Sequence, residues 1–162
     1  MEDVNGFFGD FALGISKGVN VAKLAKVVKY YPENMKVDVM PFPTEESTMI
    51  INVPLMTIAT EDFLVYYPLK PDDVVVLLFV DYDTDNILLG EDSLETERGH
   101  DVSDCVAIGC ISLFNESLNI EDKEALNIQT KDRSASIVMK KNGDINIKCK
   151  HFKVEAERID LN

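Results

Sequence analysis

Asp81-Tyr82-Asp83-Thr84-Asp85-Asn86 offers side-chain oxygens at close spacing, and Asp92 stands twelfth when Asp81 is counted as first. A calcium loop of the EF-hand kind wants oxygens at such intervals, a glycine at its sixth position and a bidentate Glu at its twelfth. Here Asn86 and Asp92 occupy those two positions, and the preceding run Val74–Val80 reads as strand rather than helix. The segment therefore reads as a solvated acidic turn. His100, Asp101, Asp104, Cys105 and Cys110 form a second group of ligating types, but no spacing among them matches a zinc site. The expectation is a loop between two parts of the chain, fixed by a His–Asp hydrogen bond and involving His100, Asp101 and Asp104. A hydrolase triad would have to use His100 or His151, the two histidines present. No nucleophile-elbow or phosphate-loop pattern accompanies them. The sequence thus points to no catalytic, cofactor-binding or metal-binding residue, and to a protein that is not an enzyme.

Net charge narrows the partners. Sixteen Lys and Arg stand against 29 Asp and Glu, a balance of −13. Residues 45–104 carry 15 acids against only Lys70 and Arg98, whereas residues 115–162 hold nine of each sign. Nucleic acid is bound through phosphate neutralisation, so the acidic middle argues against it. The balanced tail can pack closely on copies of itself. The three cysteines, Cys105, Cys110 and Cys149, are odd in number and contain no Cys-x-x-Cys, which fits assembly in a reducing cytoplasm. The acidic start Met1-Glu2-Asp3 lacks the positive charge of a secretion signal. No apolar run approaches the ~20 residues that span a bilayer.

The elements that must hold these residues read as all-β. In residues 1–20, an N-terminal arm, Phe7, Phe8, Phe11 and Ile15 share one helical face, but Gly6, Gly9 and Gly14 weaken that helix. Lys23, Lys26 and Lys29 recur every third residue, as on a helix, while Val27, Val28, Tyr30 and Tyr31 favour strand. The turn signal Pro32-Glu33-Asn34, followed by the alternation Lys36-Val37-Asp38-Val39-Met40, decides for a hairpin across residues 32–35. Apolar runs at 49–53, 55–58, 63–67 and 74–82 follow, punctuated by Pro54, Pro68 and Pro71, with 74–82 expected at the centre. About five strands in about 70 residues is the arithmetic of an OB-type barrel, placed at residues 21–114.

Residues 115–162 follow a different pattern. Val138, Ile145, Phe152 and Ile159 are spaced by seven, with Ile147, Val154 and Leu161 two residues beyond the last three of them. A coiled coil needs apolar residues three and four apart. Spacing of two puts both side chains on one face of a strand. One such strip cannot bury its own apolar side, and three copies wound together would close a β-prism. The expected core of that prism is Ile145, Ile147, Phe152, Val154, Ile159 and Leu161. Asn142-Gly143-Asp144 is a hairpin signal that a wound prism would use as a corner.

A barrel followed by a rod resembles the central spike proteins of contractile phage tails and of phage-tail-like bacteriocins. Four places carry the resemblance. They are residues 21–32 with Val37-Asp38-Val39-Met40-Pro41; Asn52-Val53-Pro54 with residues 67–75; Gly99-His100-Asp101-Val102-Ser103-Asp104 continuing to Ile108; and Met139-Lys140-Lys141-Asn142-Gly143-Asp144-Ile145-Asn146-Ile147. The third is similar to the family's His-Asp-hydrophobic-Ser-Asp segment and the fourth to the repeat that opens the spike shaft. The resemblance implies a homotrimer seated under the baseplate hub protein of the tail tube, with an OB collar and an intertwined β-helical needle. That needle would pierce the host envelope when the sheath contracts, in a particle assembled in a bacterial cytoplasm. Some members carry His-x-His pairs that bind iron at the apex. His100 and His151 form no such pair, so no apex metal is expected, and the tip is either blunt or capped by a further protein. The competing class is an OB-fold module that binds oligosaccharide without a mechanical role.

Overall fold

The structure is a computed structural model that describes residues 19–160 together with Gly9, Phe11 and Gly14. Phe11 is helical and exposed, while Phe7, Phe8 and Ile15, the rest of the expected arm face, lie outside the described residues. The chain divides into two compact units, Met1–Ile111 and Ser112–Asn162.

The first unit is a closed five-stranded barrel. Its strands are β1 (Ala22–Tyr31), β2 (Lys36–Pro41), β3 (Ile50–Met56), β6 (Val74–Phe79) and β7 (Cys105–Ile108), in the order β1-β2-β3-β7-β6 and back to β1. All neighbours are antiparallel except β3 and β7, which run parallel. A short hairpin, β4 (Ile58–Ala59) with β5 (Leu64–Val65), lies outside the barrel. Ala25, Val27, Val37, Val39, Val53, Leu55, Val75, Leu77, Phe79, Cys105 and Ala107 fill the interior. Closure leaves no central strand, so the expectation of one at 74–82 is replaced by a ring in which β6 contributes Val75, Leu77 and Phe79 to the core.

Two bulges set which side chains point inward. The register of β1 on β2 shifts between Val27 and Lys29, so Val28 is the extra residue. Before the bulge Ala25 and Val27 face the core, and Leu24 and Lys26 face out. After it the parity inverts, and Lys29 and Tyr31 face out while Tyr30 packs against the core. This puts Lys26 and Lys29, three apart, on one side of the strand, whereas Lys23 keeps the parity of Ala25 and reaches over the Phe79 ring. The second bulge lies in β3 opposite Asp38, where Asn52 takes φ +58°. It turns both Ile50 and Val53 inward despite their spacing of three. The Asn52 N–H freed by the bulge donates to the Asp38 carboxylate at 2.9 Å, and the Tyr31 hydroxyl donates to the same group at 2.8 Å. A buried carboxylate is thereby satisfied on two sides.

β3 runs through Pro54 rather than breaking there. Pro54 still faces Lys36 of β2, while the next residue, Leu55, begins the parallel pairing with Ala107. A residue without an N–H fits where the strand changes partners, and Leu55 N–H donates to the Met35 carbonyl at 2.7 Å.

The second unit is a three-stranded antiparallel sheet, β8 (Leu126–Gln129), β9 (Ser136–Met139) and β10 (Ile145–Lys148), with β9 central. Asn142-Gly143-Asp144 forms a hairpin turn, with Gly143 at φ +92° and Lys140 N–H donating to the Asp144 carbonyl at 2.9 Å. No strand is assigned among the described residues after β10.

Candidate functional site

The residues with chemical potential converge on one knot in the first unit. β6 ends at Phe79, and the chain turns through Asp83 and Thr84 into a single 3-10 turn at Ile87–Leu89. It returns past Thr96 and Arg98 into β7. Asp83, Asp85 and Asp104 bring carboxylate oxygens within 4.8 Å of one another, as a cation site would. A cation already sits there: the Arg98 guanidinium. Its Nε donates to Asp104 Oδ2 at 2.6 Å, and one terminal nitrogen lies 2.9 Å from Asp104 Oδ1, 2.9 Å from Asp85 and 3.0 Å from Asp83. The remaining lone pairs are also taken. Thr84 donates to Asp104 through its N–H and its hydroxyl, both at 2.9 Å. Thr96 donates to Asp83 through its N–H at 2.8 Å and its hydroxyl at 2.6 Å, and Asp85 N–H adds a third bond at 2.9 Å.

This arrangement is a structural clamp. A planar guanidinium matches two carboxylates better than a point charge would. Asp81 and Asp92, the ends of the calcium-like pattern, lie outside the group of three. Asp83 and Asp104 are fully buried, and such carboxylates persist only when hydrogen-bonded and paired. The fork from Arg98 holds the Asp104 carboxyl down at about 2 despite its burial. The Thr96 hydroxyl, followed by the Asp85 N–H, lowers Asp83. The Ser103 hydroxyl and N–H lower Asp101 in the same way. Groups with depressed pKa stabilise the fold above their unfolded value of about 4, and the contribution is lost as pH falls through the folded value. The clamp's contribution should therefore be constant from pH 7 to about 4 and disappear towards pH 2. Thermal melts followed by tyrosine near-UV circular dichroism check this. Asp104→Asn should show a smaller fall than the wild type between pH 4 and 2.

His100, Asp101 and Asp104 occupy the turn that feeds β7, inside the barrel unit rather than after it. Asp101 accepts from Ser103 N–H at 2.9 Å and from its hydroxyl at 2.6 Å, and the Asp101 carbonyl accepts from Asp104 N–H at 3.2 Å. His100 acts through its backbone: at φ +52° its carbonyl accepts from the Asn20 amide at 3.0 Å, and its N–H donates to the Asp81 carbonyl at 3.3 Å. Its Nδ1 has no hydrogen-bond partner and stands 3.8 Å from the Asp81 carboxylate. Gly99 allows a close approach beside it, since a Cβ there would meet the Asp81 carbonyl oxygen at 3.0 Å. Arg98, Thr84 and Thr96 were not singled out from sequence. The available signal was that Arg98 is one of two bases among 15 acids, so any buried acid nearby had few cations to choose from.

The second unit presents a site of another kind. Register places Leu126, Met139 and Ile145 in one row across the sheet and Ile128, Ile137 and Ile147 in the next. All six lie on one face, and all are exposed, from 36% at Met139 to 62% at Ile145. Asn127, Gln129, Asn146 and Lys148 occupy the other face with Val138, which is buried. Val138 is thus out of phase with the Ile145 series to which its spacing of seven assigned it. The turn at Gly143 sets Met139, not Val138, opposite Ile145. Phe152, Val154 and Ile159 are also exposed, and Leu161 lies outside the described residues. An open groove of about 680 Å³ runs between this face and the chain beyond it, lined by Ile128, Ile137, Ile147 and Phe152 among others.

No protein-family model and no curated protein matches this sequence. The site's geometry therefore carries the functional argument: the polar knot is spent on holding β6 to β7, and the apolar sheet face stands exposed among the described residues.

Proposed function

We propose that this chain is the central spike subunit of a contractile phage tail or tailocin baseplate. It works as a homotrimer that caps the tail tube beneath the hub protein and is driven into the host envelope by sheath contraction. The observation that carries this reading is the uncovered six-residue face of β8–β9–β10. A water-soluble sheet with one entirely apolar face needs a second layer, and in a homotrimer two further copies supply it. The strand order of the closed barrel, with β3 and β7 parallel, is compatible with an OB-type collar. In the trimer the tail units wind into a short β-prism in which Ile145 and Ile147 turn to the axis, with Phe152, Val154, Ile159 and Leu161 continuing the apolar rows. The work is mechanical, which suits a first unit whose buried Asp83 and Asp104 are locked by Arg98 rather than open to substrate.

Sedimentation of the full chain tests it. The expected particle is about 55 kDa, three times the 18.2 kDa chain. Its melting temperature should rise with protein concentration. A well-folded monomer at micromolar concentration would overturn the reading and favour an oligosaccharide-binding module. Imaging of the parent particle with this chain labelled then locates it on the tail axis or elsewhere.

A further inference from the structure

We infer that the β4–β5 hairpin of one copy docks head-to-tail on the outer face of β1 of a second copy, joining the barrels into a ring independently of the tail units. The hairpin has two residues in each strand and, among the described residues, no third strand beside it, a size that is marginal in water without packing. Both of its faces are apolar and exposed: Ile58 is 71% and Phe63 77% accessible, with Leu64, Val65 and Tyr66 also open. Monomeric proteins rarely expose such a contiguous patch without a partner for it. Its base continues directly from the barrel, β4 starting at Ile58 two residues after β3 ends at Met56. Its tip is closed by Thr60 N–H to the Phe63 carbonyl at 2.8 Å. The hairpin is therefore an ordered projection, and Glu61 and Asp62 sit at its end.

The charge at that tip selects the occupant. Residues 45–104 carry a net −13, so the receiving surface must be apolar and basic. Residues 19–31 contain Lys23, Lys26 and Lys29 and no acid. The bulge at Val28 turns Lys26 and Lys29 to the same outer side, next to exposed Leu24 and, across the ladder from Ala22, exposed Leu78. Lys26 is held by Asp72 at 3.2 Å in an exposed pair, which is worth little and is easily exchanged. Lys29 lies over the Tyr31 ring at 4.4 Å with its charge still open to a carboxylate. An acidic-tipped apolar projection and a lysine-bearing apolar strip on the same chain are complementary but distinct patches, the condition for a heterologous contact that closes into a ring. Only the number of copies in that ring rests on the trimer proposed above.

The test is carbodiimide cross-linking of the full chain, assembled from an equal mixture of isotopically light and heavy protein. The expected product joins Glu61 or Asp62 to Lys26 or Lys29, with light–heavy pairs as abundant as random mixing allows. Glu61→Lys with Asp62→Lys should lower cross-linking between the tip and β1 about tenfold. Adding Lys26→Glu and Lys29→Glu in the same chain should restore it. The inference is overturned if these links form only within one chain, if the tip links instead to lysines beyond residue 111, or if it links to nothing. Solution mass is read in parallel. A 55 kDa particle without the link would sink the hairpin contact and leave the trimer standing. The link without a trimer would do the reverse.

Discussion

Ile147→Asp is expected to weaken the particle of about 55 kDa to its barrel contacts alone, so that it falls to the single chain's 18.2 kDa on dilution at concentrations where Asn146→Asp stays whole. The two residues are neighbours on β10 but face opposite sides of the sheet. Ile147 stands in a row with Ile137 and Ile128, and Asn146 lies across from Val138. In the proposed trimer, Asp at position 147 would bring three carboxylates together in an apolar layer that offers no hydrogen-bond donor. Removing a charge from water without a partner costs several kcal/mol, and symmetry repeats the cost in every chain. The same charge at the exposed Asn146 should stay within about 0.5 kcal/mol. Native mass measurement on both variants decides the matter. Equal tolerance would mean that the apolar face is not the contact between copies.

The second large effect belongs to the first unit. Arg98→Met should lower the barrel's melting temperature by more than about 10 °C, because it leaves two buried carboxylates without their cation. Arg98→Lys should recover only part of the loss, since one ammonium cannot supply the two-pronged contact that Asp104 receives at 2.6 and 2.9 Å. Arg98→Met combined with Asp104→Asn should be more stable than Arg98→Met alone, which separates the penalty of an orphaned charge from the loss of arginine packing. A melt of Arg98→Met indistinguishable from wild type would show that the clamp does not hold the barrel.

The β1–β2 hairpin was legible because Pro32-Glu33-Asn34 and the alternation after it are local signals. β7 was not. Cys105-Val106-Ala107-Ile108 is four residues long, and it becomes a strand only by lying between β6 and a segment as distant in the chain as Leu55. Lys26 and Lys29 of β1 imitate a helical period because one bulged residue adds a step to a period of two, while Lys23 falls three before Lys26 on the opposite parity. The tail's spacing of two was legible at Ile145/Ile147, and the same spacing at Leu126/Ile128 and Ile137/Met139 went unread. Its phase was not legible, since turn geometry at Gly143, rather than the spacing of seven, sets which residue faces which. For the knot, the carboxylates are visible in sequence, Asp83 and Asp85 in a solvated acidic turn and Asp104 in a His–Asp loop, but the cation they share is not. Arg98 lies 13 and 15 positions from Asp85 and Asp83, and no local pattern marks it as their partner.

The strand that seals the barrel is also the last of its strands to be synthesised. Until Ile108 has left the ribosome, β3 and β6 each have a bare edge, and bare edges invite pairing with other chains. The segment that carries the sticky face, Leu126 to Lys148, emerges only afterwards. At synthesis rates of about 5–20 residues per second, the interval between the two is about a second or more. Barrel closure on a faster timescale would remove those edges before the adhesive sheet exists. Chain order thus acts as a timer that separates folding within a subunit from association between subunits, and moving the tail sequence ahead of the barrel would abolish the delay without changing a single contact.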